Sequence, residues 1–393
     1  MPQKYLLIHY PKGVLHFEKA KTIFNEYFTH KPYTMRIATF NSENLFSRAK
    51  VLNFKNNADG DKLLAKIGEL QGELKNKVYN KARILSLYNS LKDYIEISEE
   101  RGKLFKRQLF AIKGVAANGV DDWDGTIEFK REKFTETTRI NTAKVIKALK
   151  ADVQCLVEIE DRLTMSNFNA DMLGSSKFPY NILIDGNDPR GIDVGLLSRF
   201  PIKNICTHIF DKEKPTSKSF IFSRDCMEVE LEIAKNKSLY VLCNHFKSKG
   251  YSASQSDADN RRKMQADTVK QIIKDKYDLT KDMVVVLGDF NDTPDSKPLQ
   301  TLLNTQNLTD VLKLKFGNDV DKTYTYFYKK KNQIDFILVS KPLKEKFKDA
   351  GVERRGMFEL DTISNGTEKR FNTVTAPSNA ASDHGGVWAE FDI

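Results

Sequence analysis

The residues best suited to chemistry stand at the ends of apolar runs. The clearest run, Val284-Val285-Val286-Leu287-Gly288, delivers Asp289, Phe290 and Asn291 to a polar turn that continues Asp292-Thr293-Pro294. A carboxylate and an amide so spaced are oxygen donors for a hard cation such as Mg²⁺, which takes one or two carboxylates and leaves other positions to water and phosphate. A second loop, Ala381-Ser382-Asp383-His384-Gly385-Gly386, sets an acid beside an imidazole, offering a metal-facing carboxylate and a proton-transfer group. A third, Cys243-Asn244-His245-Phe246-Lys247-Ser248-Lys249, places an imidazole and two cations just past a strand, which suits a phosphate oxyanion. Asn41 with Glu43, Glu158 with Glu160, Asp193 and Asp335 add further polar groups at strand termini. Two histidines, several strand-end acids and an Asp-x-Asn together form the inventory for metal-assisted phosphate ester cleavage. Competing motifs are missing from the sequence: there is no Gly-x-x-x-x-Gly-Lys loop, no Gly-x-Ser-x-Gly elbow and no cysteine-rich zinc site.

These loops need strands to position them. Strand-like segments open at Met35 and recur at 153–157, 180–184, 194–197, 227–233, 239–243, 284–287, 334–339 and 386–391, with helices expected at about 138–149 and 261–276. Many strands with few helices between them predict two packed sheets with helices outside, rather than one doubly wound parallel sheet. Between Asp61 and Ile97 apolar residues recur at three- and four-residue steps and predict helices, whereas Leu104 to Val115 and Thr126 to Phe129 are more strand-like. Residues 48–135 therefore read as an insertion within a domain spanning 35–393. Residues 1–34 bear no clear relation to the rest of the chain and read as an accessory segment or an upstream mis-start of translation.

The chain of 393 residues carries 63 Lys plus Arg against 53 Asp plus Glu, a net charge of +10 that favours acidic polymers as partners. Its longest purely apolar run, Met283 to Leu287, is far shorter than the roughly 18–20 residues of a membrane span. The apolar patch Tyr5 to Tyr10 is broken by His9, followed by Pro11-Lys12 and lacks a small-residue cleavage signal, so secretion is not expected. Cys155, Cys206, Cys226 and Cys243 show no Cys-x-x-Cys spacing and read as thiols of a reducing, cytoplasmic compartment.

The ordered set Ile37-Ala38-Thr39-Phe40-Asn41-Ser42-Glu43-Asn44-Leu45-Phe46, Val157-Glu158, Gly191-Ile192-Asp193-Val194-Gly195, Asn244-His245-Phe246-Lys247-Ser248, Gly288-Asp289-Phe290-Asn291, Ile334-Asp335-Phe336-Ile337 and Ser382-Asp383-His384 resembles the endonuclease/exonuclease/phosphatase superfamily, the deoxyribonuclease I-like fold. The resemblance covers residues 35–47 and 136–393 and is nearest to bacterial members with a comparable insertion after the first strand. It implies an α/β fold: a four-layer sandwich of two packed mixed β-sheets flanked by helices, interrupted here by a mainly helical insertion. It also implies a Mg²⁺ or Mn²⁺ cofactor held by Asn41, Glu158 and Asp383. Asp289 and Asn291 then contact the attacking water and the scissile phosphate. His384 becomes a general base or phosphate-polarising imidazole whose tautomer Asp335 fixes, and His245 a second catalytic histidine with Asp193 as its carboxylate partner. Arg224, Lys247 and Asn244 are expected on substrate phosphate. One departure stands out: Val157-Glu158 replaces the Gln-Glu of many members, so help from a Gln side chain is lost.

The same constellation serves a nuclease, a phosphatase or phosphodiesterase on a small metabolite or inositol phosphate, and a phospholipid phosphodiesterase. The Trp-x-Gly-Asp and Pro-x-Trp-Cys-Asp-Arg of the inositol-polyphosphate branch are replaced by Val286-Leu287-Gly288-Asp289 and Asn332-Gln333-Ile334-Asp335-Phe336, which argues against that branch. Basic stretches at Lys247 to Lys249, Arg261 to Lys263 and Lys329 to Lys331 favour nucleic acid, DNA or RNA, as substrate. A non-catalytic nucleic-acid-binding descendant is the third reading, and it would show eroded ligands where Glu158, Asp289, Asn291, Asp383 and His384 still stand.

Overall fold

The computed structural model describes residues 33–393 except 46, 51–56, 110, 134, 189, 218 and 250–253, so the expectation for residues 1–34 lies almost wholly outside the described residues. The sandwich strands are β1 (Thr34–Leu45), β2 (Val153–Ile159), β3 (Tyr180–Leu183), β4 (Asp193–Ser198), β5 (Ile202–Cys206) and β6 (Cys226–Ala234). They continue with β7 (Lys237–His245), β8 (Val284–Asp289), β9 (Leu308–Asp310), β10 (Asp335–Ser340), β11 (Phe347–Glu353) and β12 (Gly386–Asp392). The longer helices are α1 (Asn57–Glu73), α2 (Lys81–Leu91), α3 (Glu136–Leu149), α4 (Arg162–Met172) and α5 (Gln255–Lys276).

One six-stranded sheet runs β11-β12-β1-β2-β4-β3 and the other β5-β6-β7-β8-β10-β9. Each has a single parallel pair near its centre, β1 with β2 and β7 with β8, among antiparallel neighbours. A parallel pair needs a crossover long enough to return the chain to its starting edge. Helix α3 supplies it in the first sheet and α5 in the second. Ser254 caps α5 by accepting from the Asp257 N–H, and Thr135 caps α3 by accepting from Thr138.

The central strands are buried on both faces, which is why they read as unbroken apolar runs. Along β7, Leu239, Val241 and Cys243 enter the core between the sheets, facing Ile37, Cys155 and Leu196, while Leu242 points outward. There it packs with Ala266, Val269 and Ile273 of α5. Ala143, Ile146 and Leu149 of α3 likewise pack with Ala38, Phe40 and Leu156 of the first sheet. Each fully buried side chain of this kind contributes about 1.5–3 kcal/mol. The outcome is the four-layer sandwich with mixed sheets that the sequence implies.

The insertion departs from its mainly helical expectation. Helices α1 and α2 are present, but Ile95, expected in a helix, opens the strand Ile95–Arg101, which pairs with Asp124–Phe129. A second ribbon joins Phe105–Gln108 to Ala111–Val115. The helices close over these ribbons around a separate core that includes Ile67, Leu70, Ile84, Leu87 and Trp123. All four cysteines are free, with Cys155, Cys226 and Cys243 buried. Among the described residues no helix is long and apolar enough to cross a membrane.

Candidate active site

Both strands of a parallel pair end at the same edge, so two such pairs present four strand ends together. Asn41 and Glu158 come from the first sheet, His245 and Asp289 from the second. The Asn41 Nδ2 donates across the sandwich to Asp289 Oδ2 at 2.9 Å. With Asn291, Asp383 and His384 these residues line a cleft of about 630 Å³. Strand alternation explains how the site is supported from below. The residues after His245, Asp289 and Asp335 are Phe246, Phe290 and Phe336, which turn away from the cleft and stack at 4.7 and 4.9 Å between ring centroids.

Left-handed backbone occurs within the site, as it can where function fixes geometry. Glu43, Glu158 and Asn291 adopt φ of 51°, 64° and 54°, in the left-handed region. Gly288 has φ 130°, and a Cβ there would lie 1.9 Å from the Asn244 carbonyl oxygen, so no side chain fits before Asp289.

The crossover helices do more than bury apolar surface. Gln265 and Arg262 of α5, both fully buried, reach the loops after β7 and β8. Gln265 Oε1 accepts from the Lys247 N–H at 2.8 Å, while Arg262 donates to the Lys247 carbonyl at 2.9 Å and to Asp292 at 3.0 Å. Asn141 of α3 donates to the Asn379 carbonyl at 2.7 Å, holding the approach to the last site loop. In that loop Ser382 Oγ donates to the Asn41 carbonyl at 2.7 Å and accepts from the His384 N–H at 3.0 Å, tying the loop to β1.

The carboxylate of Asp289 is fixed by three amide donors: Asn41 Nδ2, the Asn291 N–H at 2.7 Å and Asn291 Nδ2 at 3.1 Å. Burial, together with nearby Asp335, nevertheless pushes its pKa up to about 7. Burial likewise raises Glu158. The two imidazoles move in opposite directions. Burial, with Arg224 and Arg190 nearby, holds His245 well below its ordinary value, so it is neutral. Burial would do the same to His384, but Asp335, hydrogen bonded to Nδ1 at 2.8 Å, and then Asp383 and Asp289 overcome it and hold the ring well above its ordinary value. The protonated form of His384 is thereby favoured. Paired groups driven apart by their surroundings identify acid and base roles.

Seven of the expected residues, Asn41, Glu158, His245, Asp289, Asn291, Asp383 and His384, line the cleft, and Asp335 stands directly behind His384. Four others do not fit their expected roles. Asp193 accepts from the Gly186 N–H at 2.7 Å, and His245 Nδ1 has no hydrogen-bond partner among the described residues, so the two are not a pair. Arg224 is 1% exposed, is not among the described residues lining the cleft, and donates to Asp188 at 3.0 Å and the Phe246 carbonyl at 2.5 Å. Asn244 turns back to the Leu242 carbonyl at 3.0 Å. Lys247 lies outside the cleft lining, where Ser248 and Lys249 appear instead. The guanidinium that does reach the cleft is Arg190, gripped bidentately by Asp188 at 3.0 and 2.9 Å. Its one sequence signal is the acid two residues earlier.

The Endonuclease/Exonuclease/phosphatase family model matches residues 118–368, well over half of the chain. The chain belongs to this family. As an endonuclease/exonuclease/phosphatase family member it is a hydrolase of phosphate esters. Among solved structures, truncated Caenorhabditis elegans TDP2 is 18% identical, with 65% of this chain and 91% of that one covered at a TM-score of 0.45. The human Nocturnin catalytic domain is 16% identical over 66% and 88% of the two chains, TM-score 0.46. The endonuclease/exonuclease/phosphatase from Bacteroides vulgatus is 16% identical over 66% and 91%, TM-score 0.44. No curated protein matches the sequence.

The donor set suits a hard divalent ion. Asn41, Glu43, Glu158 and Asp383 bring only oxygen ligands to the cleft, and the desolvated Glu158 carboxylate is a charge that a cation would stabilise. Asn41 and Asp383 are held in place through Glu43, whose N–H donates to Asn41 Oδ1 at 3.0 Å and whose Oε2 accepts from the Asp383 N–H at 3.2 Å.

Proposed function

We propose that the protein is a divalent-metal-dependent phosphodiesterase that cleaves nucleic acid by in-line attack of water. The observation that carries this reading is the seat of Asp289: a proton-accepting carboxylate clamped by three amides, 3.7 Å from the neutral His245 ring and clustered with the Asp335–His384 pair. Asp289 takes the proton of the attacking water, its lone pairs aimed by Asn291 and Asn41. The charged His384 donates from Nε2 to a phosphate oxygen, because Asp335 occupies Nδ1. His245, kept neutral, presents Nε2 towards Glu158 and Asp289 at 3.8 and 3.7 Å, and Arg190 supplies a fixed fork for a phosphate oxygen. Asn41, Glu158 and Asp383 would hold a Mg²⁺ or Mn²⁺ ion, which would supply neutralisation of the charge on the phosphate and the leaving oxygen.

Purified protein with Mg²⁺ or Mn²⁺ should cleave DNA or RNA and a phosphodiester reporter in preference to a monoester. Asp289→Ala and His384→Ala should each lower turnover by about 10²-fold or more while the fold persists. Near-wild-type turnover in either variant would refute the assignment. The confined cleft supports a second reading, hydrolysis of a small phosphorylated metabolite, and monoester preference in the same panel would establish that instead.

A further inference from the structure

The cleft has two walls that the catalytic groups do not supply. One is a hairpin in which Tyr326–Tyr328 pairs with Lys330–Asn332. Alternation sends Tyr326 and Tyr328 to the cleft side and Phe327 to the other, where it packs against the cluster of Tyr324, Met357 and Leu360. The Tyr326 ring lies 5.0 Å from that of His384, and their backbones are bridged, so the tyrosines lead directly away from the reacting centre. The other wall belongs to the insertion. Ile67 and Leu70 of α1 are buried in the insertion's own core, and half-buried Leu64, one turn earlier, packs against that core and also lines the cleft. Lys329 and Lys330 also line it, with Lys329 Nζ 5.0 Å from the Tyr328 ring, as does Lys249, which is paired with Asp292 at 2.7 Å.

Aromatic and apolar surfaces ringed by ammonium groups, adjoining a centre that cleaves phosphate esters, match the chemistry of an unpaired nucleotide: a π-face to stack and a backbone to neutralise. A volume of about 630 Å³ falls in the roughly 300–1,000 Å³ range of small-ligand sites and is room for one nucleotide. A duplex, stiff over about 150 base pairs, keeps its bases stacked inward and offers neither wall a free ring. Resting on the nucleic-acid reading above, we propose that Leu64 and the Tyr326–Tyr328 edge form a stacking subsite for an unpaired base. The enzyme then takes single-stranded nucleic acid or a frayed end in preference to an intact duplex.

The test uses the full chain with Mg²⁺ on three substrates: a single-stranded oligonucleotide, the same strand in a blunt duplex, and an abasic strand of equal length. The single strand should exceed both others in kcat/KM by about tenfold or more. Tyr328→Ala and Leu64→Ala should each raise KM on the single strand about tenfold, several times more than on the abasic strand, whereas Tyr328→Phe retains affinity because stacking does not need the hydroxyl. Equal cleavage of duplex and single strand, or equal losses on abasic and natural strands, would overturn the subsite and leave the nuclease reading intact. Hydrolysis of a small reporter with no strand cut would overturn both.

Discussion

Replacing Asp335 by Asn isolates what a single charge does for His384. The side chain keeps its shape in a fully buried position, and the backbone N–H still donates to Thr325 Oγ1 at 3.1 Å. What changes is the 2.8 Å bond to His384 Nδ1, now charged, which becomes neutral or, if the amide NH₂ faces the ring, forces the other tautomer. A hydrogen bond to a charged group contributes about 1.5–3 kcal/mol and a neutral one about 1 kcal/mol, so the imidazolium loses about 0.5–2 kcal/mol. The His384 pKa falls, and turnover drops about 2- to 30-fold, or further if the tautomer reverses. The assay pairs kcat against pH on a diester reporter with ¹H–¹⁵N correlation spectra of the histidine ring nitrogens, and thermal unfolding verifies the fold. A variant with kcat within about twofold of wild type and an unmoved His384 titration would show that the carboxylate neither charges nor orients the ring.

Arg190→Lys should lower kcat/KM about tenfold, measured by initial rates on oligonucleotides, because an ammonium cannot reproduce the two-point grip on Asp188 that aims the guanidinium. Gly288→Ala forces a Cβ to 1.9 Å from the Asn244 carbonyl oxygen, so urea unfolding should register a loss of roughly 3 kcal/mol or more, together with lost activity. Away from the cleft, Glu228 accepts from His208 at 2.6 Å, from the Tyr277 hydroxyl at 2.5 Å and from Lys276. Although burial opposes ionisation, these donors bring its pKa down from 4.5 to about 2. A depressed folded-state pKa gives stability that is complete above 4.5 and lost as pH falls toward 2. The melting temperature should therefore drop through that window, and Glu228→Gln should flatten the drop.

Burial explains which elements the sequence disclosed. Strands β2, β7, β8 and β10 are covered on both faces and announce themselves as apolar runs, and a polar residue ending such a run is conspicuous; Glu158, His245 and Asp289 were legible for that reason. Strands β5, β9 and β11 were not, and all three lie at sheet edges, where exposure dilutes the pattern; β5 is no more than partly buried along its length. The polar opening of α5, Gln255 to Asn260, concealed its first turns for the same reason, and its beginning rests on the Ser254 cap. Residue type alone also cannot reveal which side of a loop a charge occupies. Arg224 and Lys247 carry the right charge but face buried partners or stand outside the cleft, while Arg190 gains its place from Asp188. Leu64 gave no sign at all, since on α1 it differs from Leu63 only by the rotation of a helix.

The order in which the site is completed along the chain has a bearing on synthesis. Asp383 and His384 immediately precede β12, which slots between β11 and β1 and so joins strands that lie far apart along the described residues. A ribosome that has released residues through β10 has already made Glu158, His245 and Asp289, yet neither the charged imidazole nor the strand that seals its sheet exists. By the mechanism proposed above, a chain that stops short of β12 would lack both the imidazole that meets the phosphate and the strand that closes its sheet, and should not turn over.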